Sequence, residues 1–371
     1  GTTNGGTISL GSGATLTVNG ANKGTMYQNS ISGAGGLTMS GSGDSSLSLY
    51  GTQGYTGTTT VSGGKISTGV ALASTNITVS GGTFETSAAN IVADTSTVNM
   101  SSGTYALNGN DTVKSLTMSG GLLSTTNGST LSTTDTTAAS ASINGGTVDA
   151  NINSAGGVRF LGGTTTINGK ITAAGASQYF TVAGGTVSTT GSDNIADTTQ
   201  VSLTSGSLSV GGNETVAYFQ QYGGSLLGSG KLTATSGFNL NGGTISANLG
   251  TGNLSVNSAG TTTTLNGTAD STTVTIWDGT LLLGAAERLN NSANVSVRGG
   301  LLNLQGFNET VNTVTTSNGS TISGTGTLTA STYTLNGGTV NANLGTGTLT
   351  SSTNSTTLNG TAAATTVNVS G

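Results

Sequence analysis

Apolar and polar residues alternate over short stretches of this chain, and each stretch ends at a glycine. Pairs of apolar residues spaced by two, each ending two positions before a Gly, are Leu16/Val18, Leu47/Leu49, Tyr105/Leu107, Leu208/Val210 and Leu302/Leu304. A period of two predicts β-strands with one buried face, and the glycines predict turns. No segment shows a convincing helical period, and Thr, Ser and Gly are poor helix formers.

A Gly-Gly or Ser-Gly step recurs at intervals close to twenty residues. The steps are at Gly64, Gly82, Gly103, Gly121, Gly146, Gly163, Gly185, Gly206, Gly224 and Gly243. Short strands with glycine corners at this period are typical of a β-solenoid, in which each rung pairs with the next. The sequence therefore predicts an all-β, parallel solenoid with rungs of about 20 residues. Roughly 18–19 rungs would make a rod on the order of 90 Å long.

The sequence also contains repeats with a longer period than twenty residues. LNGGTISANLGTG (Leu240–Gly252) and LNGGTVNANLGTG (Leu335–Gly347) are 95 positions apart and differ at two positions. A weaker, earlier copy contains VNMSSGTYALNGNDTV (Val98–Val113). We predict one continuous solenoid over residues 1–371, with super-repeats at approximately 81–184, 185–278 and 279–371. The last copy runs to the end of the chain, so we expect the parent protein to be longer.

The composition excludes several classes of function. The chain has no Cys, no His and no Pro, and 6% of its residues are charged. Disulfides, thiolate sites and histidine chemistry are therefore absent. The net charge of −5 and the scattered Lys and Arg residues argue against a nucleic-acid partner. No apolar run is long enough for a transmembrane helix. The alternative to a folded solenoid is a disordered linker, but the abundant Thr, Val and Ile favour strands. The absence of Pro fits a chain in which nearly every strand is paired on both sides, because Pro cannot donate a backbone hydrogen bond.

The segment GAGGLTMSGSGDSSLSLYGTQGYTGTTTVSGGKI (Gly33–Ile66) resembles the passenger-associated transport repeat, also called the autotransporter-associated β-strand repeat. The segments ALASTNITVSGGTF (Ala71–Phe84), NIADTTQVSLTSGSL (Asn194–Leu208) and AAERLNNSANVSVRGGLLNLQGFNETV (Ala285–Val311) also resemble such passengers. The resemblance implies a right-handed parallel β-helix that a Gram-negative bacterium exports and displays or sheds at its surface. It also implies an outer-membrane β-barrel, lost from this chain or separate from it.

Carboxylates are the main candidates for chemistry. Asp193 and Asp197 form the best local pair, and Asp94 aligns with Asp197. A polysaccharide-processing β-helix enzyme would need them to converge with a Lys or Arg, but recurrence in the repeats favours solvated corner residues. Asp111, Glu214 and Glu309 occupy one position in three repeats. We interpret these three as turn residues that accept backbone N–H bonds.

Three other readings of the surface are weaker. Calcium binding would need repeated acidic nonapeptides, whereas GSGDSS (Gly41–Ser46) stands alone. Ice binding would need threonines in one register on successive rungs, and the threonine runs 58–60 and 261–264 drift between the glycine steps. Aromatic residues could stack on sugars or in the core, and the pattern favours the core; they are Tyr179/Phe180, Tyr218/Phe219/Tyr222 and Trp277.

The sequence thus favours a non-enzymatic structural protein, secreted or displayed on a bacterial cell surface. We expect no catalytic residue, no cofactor and no metal. The β-solenoid would serve adhesion, through a surface receptor or a glycan, or would build an extracellular filament or biofilm matrix by end-to-end self-association. The polysaccharide-processing enzyme is kept as an alternative.

Overall fold

A computed structural model describes residues 2–3, 6–21, 23–136, 139–174, 179–352 and 354–370. In these residues all regular secondary structure is β-strand, and no helix is present. The chain divides into two compact units. The first comprises Gly1–Thr190 with Asn194–Thr199, and the second comprises Gly191–Asp193 with Gln200–Gly371. The prediction of three super-repeats in one solenoid is not tested by this division and stays a prediction.

The strands of the first unit are short, and most have three to five residues. They are β1 Thr2–Thr3, β2 Ile8–Leu10, β3 Thr15–Val18, β4 Gly24–Tyr27, β5 Ile31–Gly33, β6 Gly36–Ser40, β7 Ser46–Leu49, β8 Gln53–Tyr55, β9 Thr59–Gly63, β10 Lys65–Thr68, β11 Asn76–Thr86, β12 Thr97–Leu107, β13 Asp111–Val113, β14 Ser115–Met118, β15 Leu122–Ser124, β16 Thr130–Thr133, β17 Ala141–Ile143, β18 Gly146–Val148, β19 Asn151–Ser154, β20 Val158–Ile167, β21 Ile171–Ala173 and β22 Tyr179–Thr189.

The second unit continues the same style of short strand. Its strands are β23 Gln200–Val210, β24 Glu214–Val216, β25 Tyr218–Gln221, β26 Ser225–Leu227, β27 Lys231–Ala234, β28 Phe238–Leu240, β29 Gly243–Ile245, β30 Asn248–Leu249, β31 Leu254–Val256, β32 Thr262–Leu265, β33 Thr273–Ile276, β34 Thr280–Leu283, β35 Asn294–Val297, β36 Leu301–Asn303, β37 Glu309–Ser317, β38 Thr321–Ser323, β39 Thr327–Asn336, β40 Gly338–Val340, β41 Asn343–Leu344, β42 Thr348–Ser352, β43 Thr356–Leu358 and β44 Thr366–Ser370.

Many rungs have three short strands joined by turns, whereas in some rungs one long strand covers two sides or an isolated bridge replaces a strand. In the second unit, β24, β25 and β26 form one rung, and β27, β28 and β29 form the next. Each strand pairs in parallel with the strand one rung on. We call these three lanes of strands the first, second and third faces. The rungs average about 19 residues, so the prediction of an all-β, parallel β-solenoid is confirmed.

The turns absorb differences in rung length. A long rung separates Leu116 from its pairing partner Ala141, whereas a short rung separates Phe238 from its partner Leu254. Strand register is nevertheless kept, because inward residues meet inward residues on every face. At Gly146 the pairing partner is Thr165, two positions beyond the glycine step at Gly163. The preceding rung pairs Ala141 with Val158 and Gly146 with Thr165, so β20 has two more residues between these pairings than the preceding rung has.

Inward side chains form columns along the solenoid in each unit. On the second face of the second unit the column contains Phe219, Phe238, Leu254, Val274, Val295, Val314, Tyr333 and Leu349. All of these side chains are buried. Each fully buried aliphatic or aromatic side chain contributes roughly 1.5–3 kcal/mol relative to exposure. Burial of such side chains on successive rungs is therefore the repeated contribution that stabilises the solenoid.

The glycine steps of the sequence are corners with left-handed backbone. All ten predicted step glycines have positive φ; they are Gly64, Gly82, Gly103, Gly121, Gly146, Gly163, Gly185, Gly206, Gly224 and Gly243. At Gly121, φ is +86° and an added Cβ would lie 2.6 Å from the carbonyl oxygen of Gly103 on the preceding rung. Both the conformation and the close backbone approach require glycine there.

Asparagine side chains bridge successive rungs beside the first face. In each case the Asn Oδ1 accepts the backbone N–H of a residue one rung on, over 2.8–3.1 Å. The pairs are Asn110/Thr130, Asn151/Lys170, Asn213/Lys231, Asn248/Thr268, Asn308/Thr327 and Asn343/Thr361. Each such bond contributes roughly 0.5–1.5 kcal/mol net. The outer surface thus adds polar rung-to-rung contacts to the backbone ladders.

None of the residues that the structure describes forms a helix long and apolar enough to cross a membrane.

Candidate functional site

The buried carboxylates at the first face replace a backbone acceptor. Along this face Ala269 donates its N–H to the carbonyl of Arg288, one rung on. At the next step, Leu289 donates instead to Glu309 Oε1 over 2.9 Å, and Arg288 donates to Glu309 Oε2 over 2.8 Å. Glu309 is fully buried. Its carboxylate therefore closes the ladder where the preceding turn carries the backbone out of register.

Asp111 likewise accepts backbone N–H bonds in place of a carbonyl group in the first unit. Its Oδ2 accepts the N–H of Val92 over 3.1 Å, and its Oδ1 accepts the N–H of Thr112 over 3.0 Å. The hydroxyl of Tyr105 lies 3.5 Å from Oδ2. Glu214, at the equivalent position of the second unit, is also buried. The interpretation of these residues as acceptors of backbone N–H bonds is confirmed for Asp111 and Glu309. Their prediction as turn residues is wrong, because each is the buried first residue of a strand, β13, β24 or β37.

Burial makes these carboxyl groups hard to ionise. It raises the pKa of Glu309 to about 7, although the N–H groups of Arg288 and Leu289 favour the charged form. The charge of nearby Glu287 pushes this pKa further upward. Burial also raises the pKa of Asp111 to about 6, against the N–H bonds from Val92, Thr112 and Ile91. Desolvation outweighs hydrogen bonding at both positions.

The turn before each carboxylate contains a non-glycine residue with positive φ. These residues are Asn90 (54°), Asp193 (58°) and Glu287 (53°). Their N–H groups donate to the carbonyls of Asn110, Asn213 and Asn308, respectively. Asn and Asp adopt this left-handed conformation more readily than Glu does. The third copy of the turn is therefore the most strained of the three.

Replacing Glu287 with Asn is expected to stabilise the second unit by about 0.5–1 kcal/mol, because Asn tolerates positive φ better than Glu. The measurement is the free energy of unfolding in urea. Glu287→Ala is the matched control, since it also removes the charge beside Glu309 and the bond from Thr310 but keeps the unfavourable φ. Equal stabilisation by both variants would contradict a cause in backbone strain.

The predicted carboxylate pair is divided between the two units. Asp197 belongs to the first unit and Asp193 to the second, and each is exposed, as is Asp94. Asp193 has its positive φ in the turn described above. These placements fit corner residues. The alternative of a polysaccharide-processing enzyme is not tested by them and stays a prediction.

No cluster of three or more His, Cys, Asp or Glu residues that could hold a metal is found among the described residues. Asp44, in the acidic turn of Gly41–Ser46, is exposed. The two ion pairs of the described residues join neighbouring or next-but-one rungs. They are Lys65–Glu85 at 2.7 Å and Lys231–Asp270 at 2.6 Å. Because all four side chains are partly exposed, we expect little stability from these ion pairs.

The aromatic residues divide between core and surface. Phe180 stacks on Phe160 with ring centroids 4.7 Å apart, and Phe219 lies 6.2 Å from Phe238. All four rings are buried, so the prediction of a core stack is confirmed for Phe180 and Phe219. Tyr222 and Trp277, in contrast, are 53% and 47% exposed.

Threonine register on the second face differs from the prediction. The outward pairs on successive rungs are Thr273/Thr275, Asn294/Ser296, Thr313/Thr315, Thr332/Thr334, Thr348/Thr350 and Thr366/Asn368. The expected drift is wrong for this lane, because turns of unequal length take up the differences between rungs. The argument from drift against ice binding therefore does not apply to this face.

Trp277 lies directly after β33, where the second face turns toward the third. Arg298 follows β35, one rung on, and its Cζ lies 4.5 Å from the centre of the indole ring. The sequence offered a signal for this pair. The strings VTIW and VSVR align with each other, and their offset along the chain equals the offset between the paired residues of β33 and β35.

A groove runs along the corner next to this pair. Its volume is about 340 Å³. Its lining consists of Ala259, Gly260, Asp278, Gly279, Thr280, Gly299, Gly300, Leu301, Gly319 and Thr321. At Gly260 and Gly319 no heavy atom lies within 4 Å of the position that a Cβ would occupy, so the backbone there is open to close approach by a ligand. Hydroxyl, carboxylate and backbone groups line this groove, and Trp277 and Arg298 directly precede two of its lining residues, Asp278 and Gly299, in the chain.

Neither a protein-family model, nor a curated protein, nor a solved structure matches this chain.

Proposed function

We propose that this chain is a non-enzymatic structural protein of a bacterial surface or extracellular matrix. In this proposal the β-solenoid of each unit serves adhesion or forms part of an extracellular filament. The resemblance of Gly33–Ile66 to passenger-associated transport repeats supports an autotransporter passenger. Export without cysteine would require stability from architecture, since disulfides are unavailable to such a chain.

The observation that carries the proposal is the use of side chains to join rungs. Inward residues form apolar columns, and outward Asn residues accept N–H groups from the next rung. In such a chain the inward residues join successive rungs into a stiff body, and the outward residues form a broad polar surface. Its partners would be a receptor or glycan at another surface, or further copies of the chain.

Labelling of intact cells tests the proposed location. An antibody against the folded chain is expected to label unpermeabilised cells or material around them, and brief protease treatment of intact cells should remove the label. Lysed cells and a cytoplasmic marker provide the controls. Label that appears only after permeabilisation would sink the surface role.

Electron microscopy separates adhesion from filament formation. The natural protein, isolated from the cell surface, is imaged at low and high concentration. Continuous filaments with an axial repeat related to about 4.8 Å per rung would favour the filament. Single particles at every concentration would favour an adhesive passenger.

A further inference from the structure

The Trp277 ring is held as a fixed platform at the surface of the second unit. It remains 47% exposed although Arg298 lies 4.5 Å from its centre. A guanidinium over an indole face is an attractive cation–π contact. The strands β33 and β35 fix the two residues through the pairing of Val274 with Val295 and Ile276 with Val297. The ring is thus positioned before any ligand arrives.

Arg298 retains capacity to bind an anion. Its Nε donates to Ser296 Oγ over 3.3 Å, and it forms no ion pair with the described residues. A guanidinium offers five N–H donors in a planar fork that matches a carboxylate. In a chain with a net charge of −5, an arginine that lies on an aromatic ring is a local site of positive charge.

The adjoining groove supplies acceptors and a close approach to backbone. Asp278 is exposed, and its Oδ1 lies 3.7 Å from the position that a Cβ would occupy at Gly299. The carboxylate therefore lies beside the glycine floor, one residue from the aromatic platform. Thr280 and Thr321 add hydroxyl groups to the lining. Acceptors and hydroxyls next to an aromatic ring suit a ligand with many hydroxyl groups.

We propose that this corner, formed by Trp277, Arg298 and the groove beside Asp278, binds an acidic glycan. A sugar ring would stack on the indole, its carboxylate would pair with Arg298, and its hydroxyls would bond to Asp278 and the threonines. A nucleic acid would also offer stacking and negative charge, but Asp278 and the absence of a basic patch in the sequence oppose a polyphosphate. This inference rests on the proposed function, because it gives an adhesive solenoid its ligand.

Binding of defined ligands by the full chain tests the inference. The probes are a hexamer of galacturonic acid, 3′-sialyllactose, neutral cellohexaose and single-stranded DNA, each titrated calorimetrically. We expect binding of one or both carboxylate-bearing sugars, weakening as salt rises, and at least tenfold weaker binding of cellohexaose. The two acidic probes distinguish a uronic acid from a sialic acid. Preference for DNA would overturn the inference.

Variants locate the site. Trp277→Ala and Arg298→Ala are each expected to weaken binding at least tenfold, Trp277→Phe should restore part of the affinity, and Arg298→Lys should restore less, because Lys lacks the fork. Tyr222→Ala is the matched control, since Tyr222 is an equally exposed aromatic in the same lane, and its hydroxyl bonds to Gln220 over 3.2 Å. Circular dichroism checks folding.

Equal losses in Trp277→Ala and Tyr222→Ala, or unchanged binding in Trp277→Ala, would overturn the site. No binding of any sugar by the folded chain would overturn it as well. None of these three results would affect the proposed structural role, which the labelling of intact cells tests separately.

Discussion

Gly121→Ala is expected to destabilise the first unit by about 2–5 kcal/mol. Two costs add in this variant. An L-residue at φ +86° carries a strain of about 1–2 kcal/mol. Forcing a methyl group against packed backbone costs about 1–3 kcal/mol more, because the added Cβ would lie 2.6 Å from the Gly103 carbonyl oxygen and 2.9 Å from the Ser102 carbonyl carbon.

Two other glycines separate these costs. Gly128 has φ +72°, but an added Cβ would have no heavy atom within 4 Å, so Gly128→Ala should lose only the conformational part of about 1–2 kcal/mol. Gly162 has open space and is not among the positive-φ glycines, so Gly162→Ala should change stability by less than about 0.5 kcal/mol.

Because solenoids can unfold in parts, the measurement combines urea unfolding with hydrogen exchange of the amides near each glycine. The expected order of destabilisation is Gly121, then Gly128, then Gly162. Equal effects at Gly121 and Gly128 would show that close rung-to-rung packing does not constrain this corner.

The protein should be more stable in mild acid than at neutral pH. The folded-state pKa values of Glu309, about 7, and Asp111, about 6, lie above the ordinary values of 4.5 and 3.8. Between the two values of each group, the folded chain binds more protons than the unfolded chain does. Its stability therefore falls as pH rises through this window. The contribution is fully present below about pH 4 and lost above about pH 7.

The expected size is large for a pair of side chains. One pKa unit corresponds to about 1.4 kcal/mol, so each group contributes on the order of 3 kcal/mol between the ends of its window. Urea unfolding between pH 4 and pH 8 measures the decline. The Glu309→Gln variant keeps an acceptor oxygen but cannot ionise, and the decline that remains in it should end near pH 6, where Asp111 titrates.

Asp111→Asn is the partner variant, and the double variant should show the weakest pH dependence of the set. A wild-type profile that rises from pH 4 to pH 8 would contradict the dominance of burial at both sites.

Much of the fold could be predicted from the sequence, because a solenoid repeats local information. The glycine steps specified corners, and all ten have positive φ. The recurrence of Asp111, Glu214 and Glu309 correctly indicated acceptors of backbone N–H groups at Asp111 and Glu309, but placed in turns three residues that each begin a strand. Their hydrogen-bond partners were not predictable from the sequence. The donors are N–H groups one rung away, such as that of Leu289, and the path of the intervening turn decides which N–H group faces the carboxylate.

Prediction failed where the answer depended on turns of variable length. Counting positions between glycines gave an irregular threonine register, whereas strand pairing aligns Thr313, Thr332, Thr348 and Thr366 in one lane. The pair Trp277 and Arg298 was missed for the same reason. Two residues on successive rungs are recognised as neighbours only when strand register, and not glycine spacing, defines the rung.

The spacing of the carboxylates Glu214 and Glu309 also gives the length of the long repeat in rungs. From Glu214 the first-face column passes through Leu232, Leu249, Ala269 and Leu289 before it reaches Glu309. The offset between the near-identical segments Leu240–Gly252 and Leu335–Gly347 equals the offset between Glu214 and Glu309, and is therefore five rungs. Recombination between gene segments that encode such copies would insert or delete five rungs at once, and each remaining rung would still pair with a rung of similar sequence. The second unit would thus lengthen or shorten in steps of five rungs without a new kind of rung-to-rung interface.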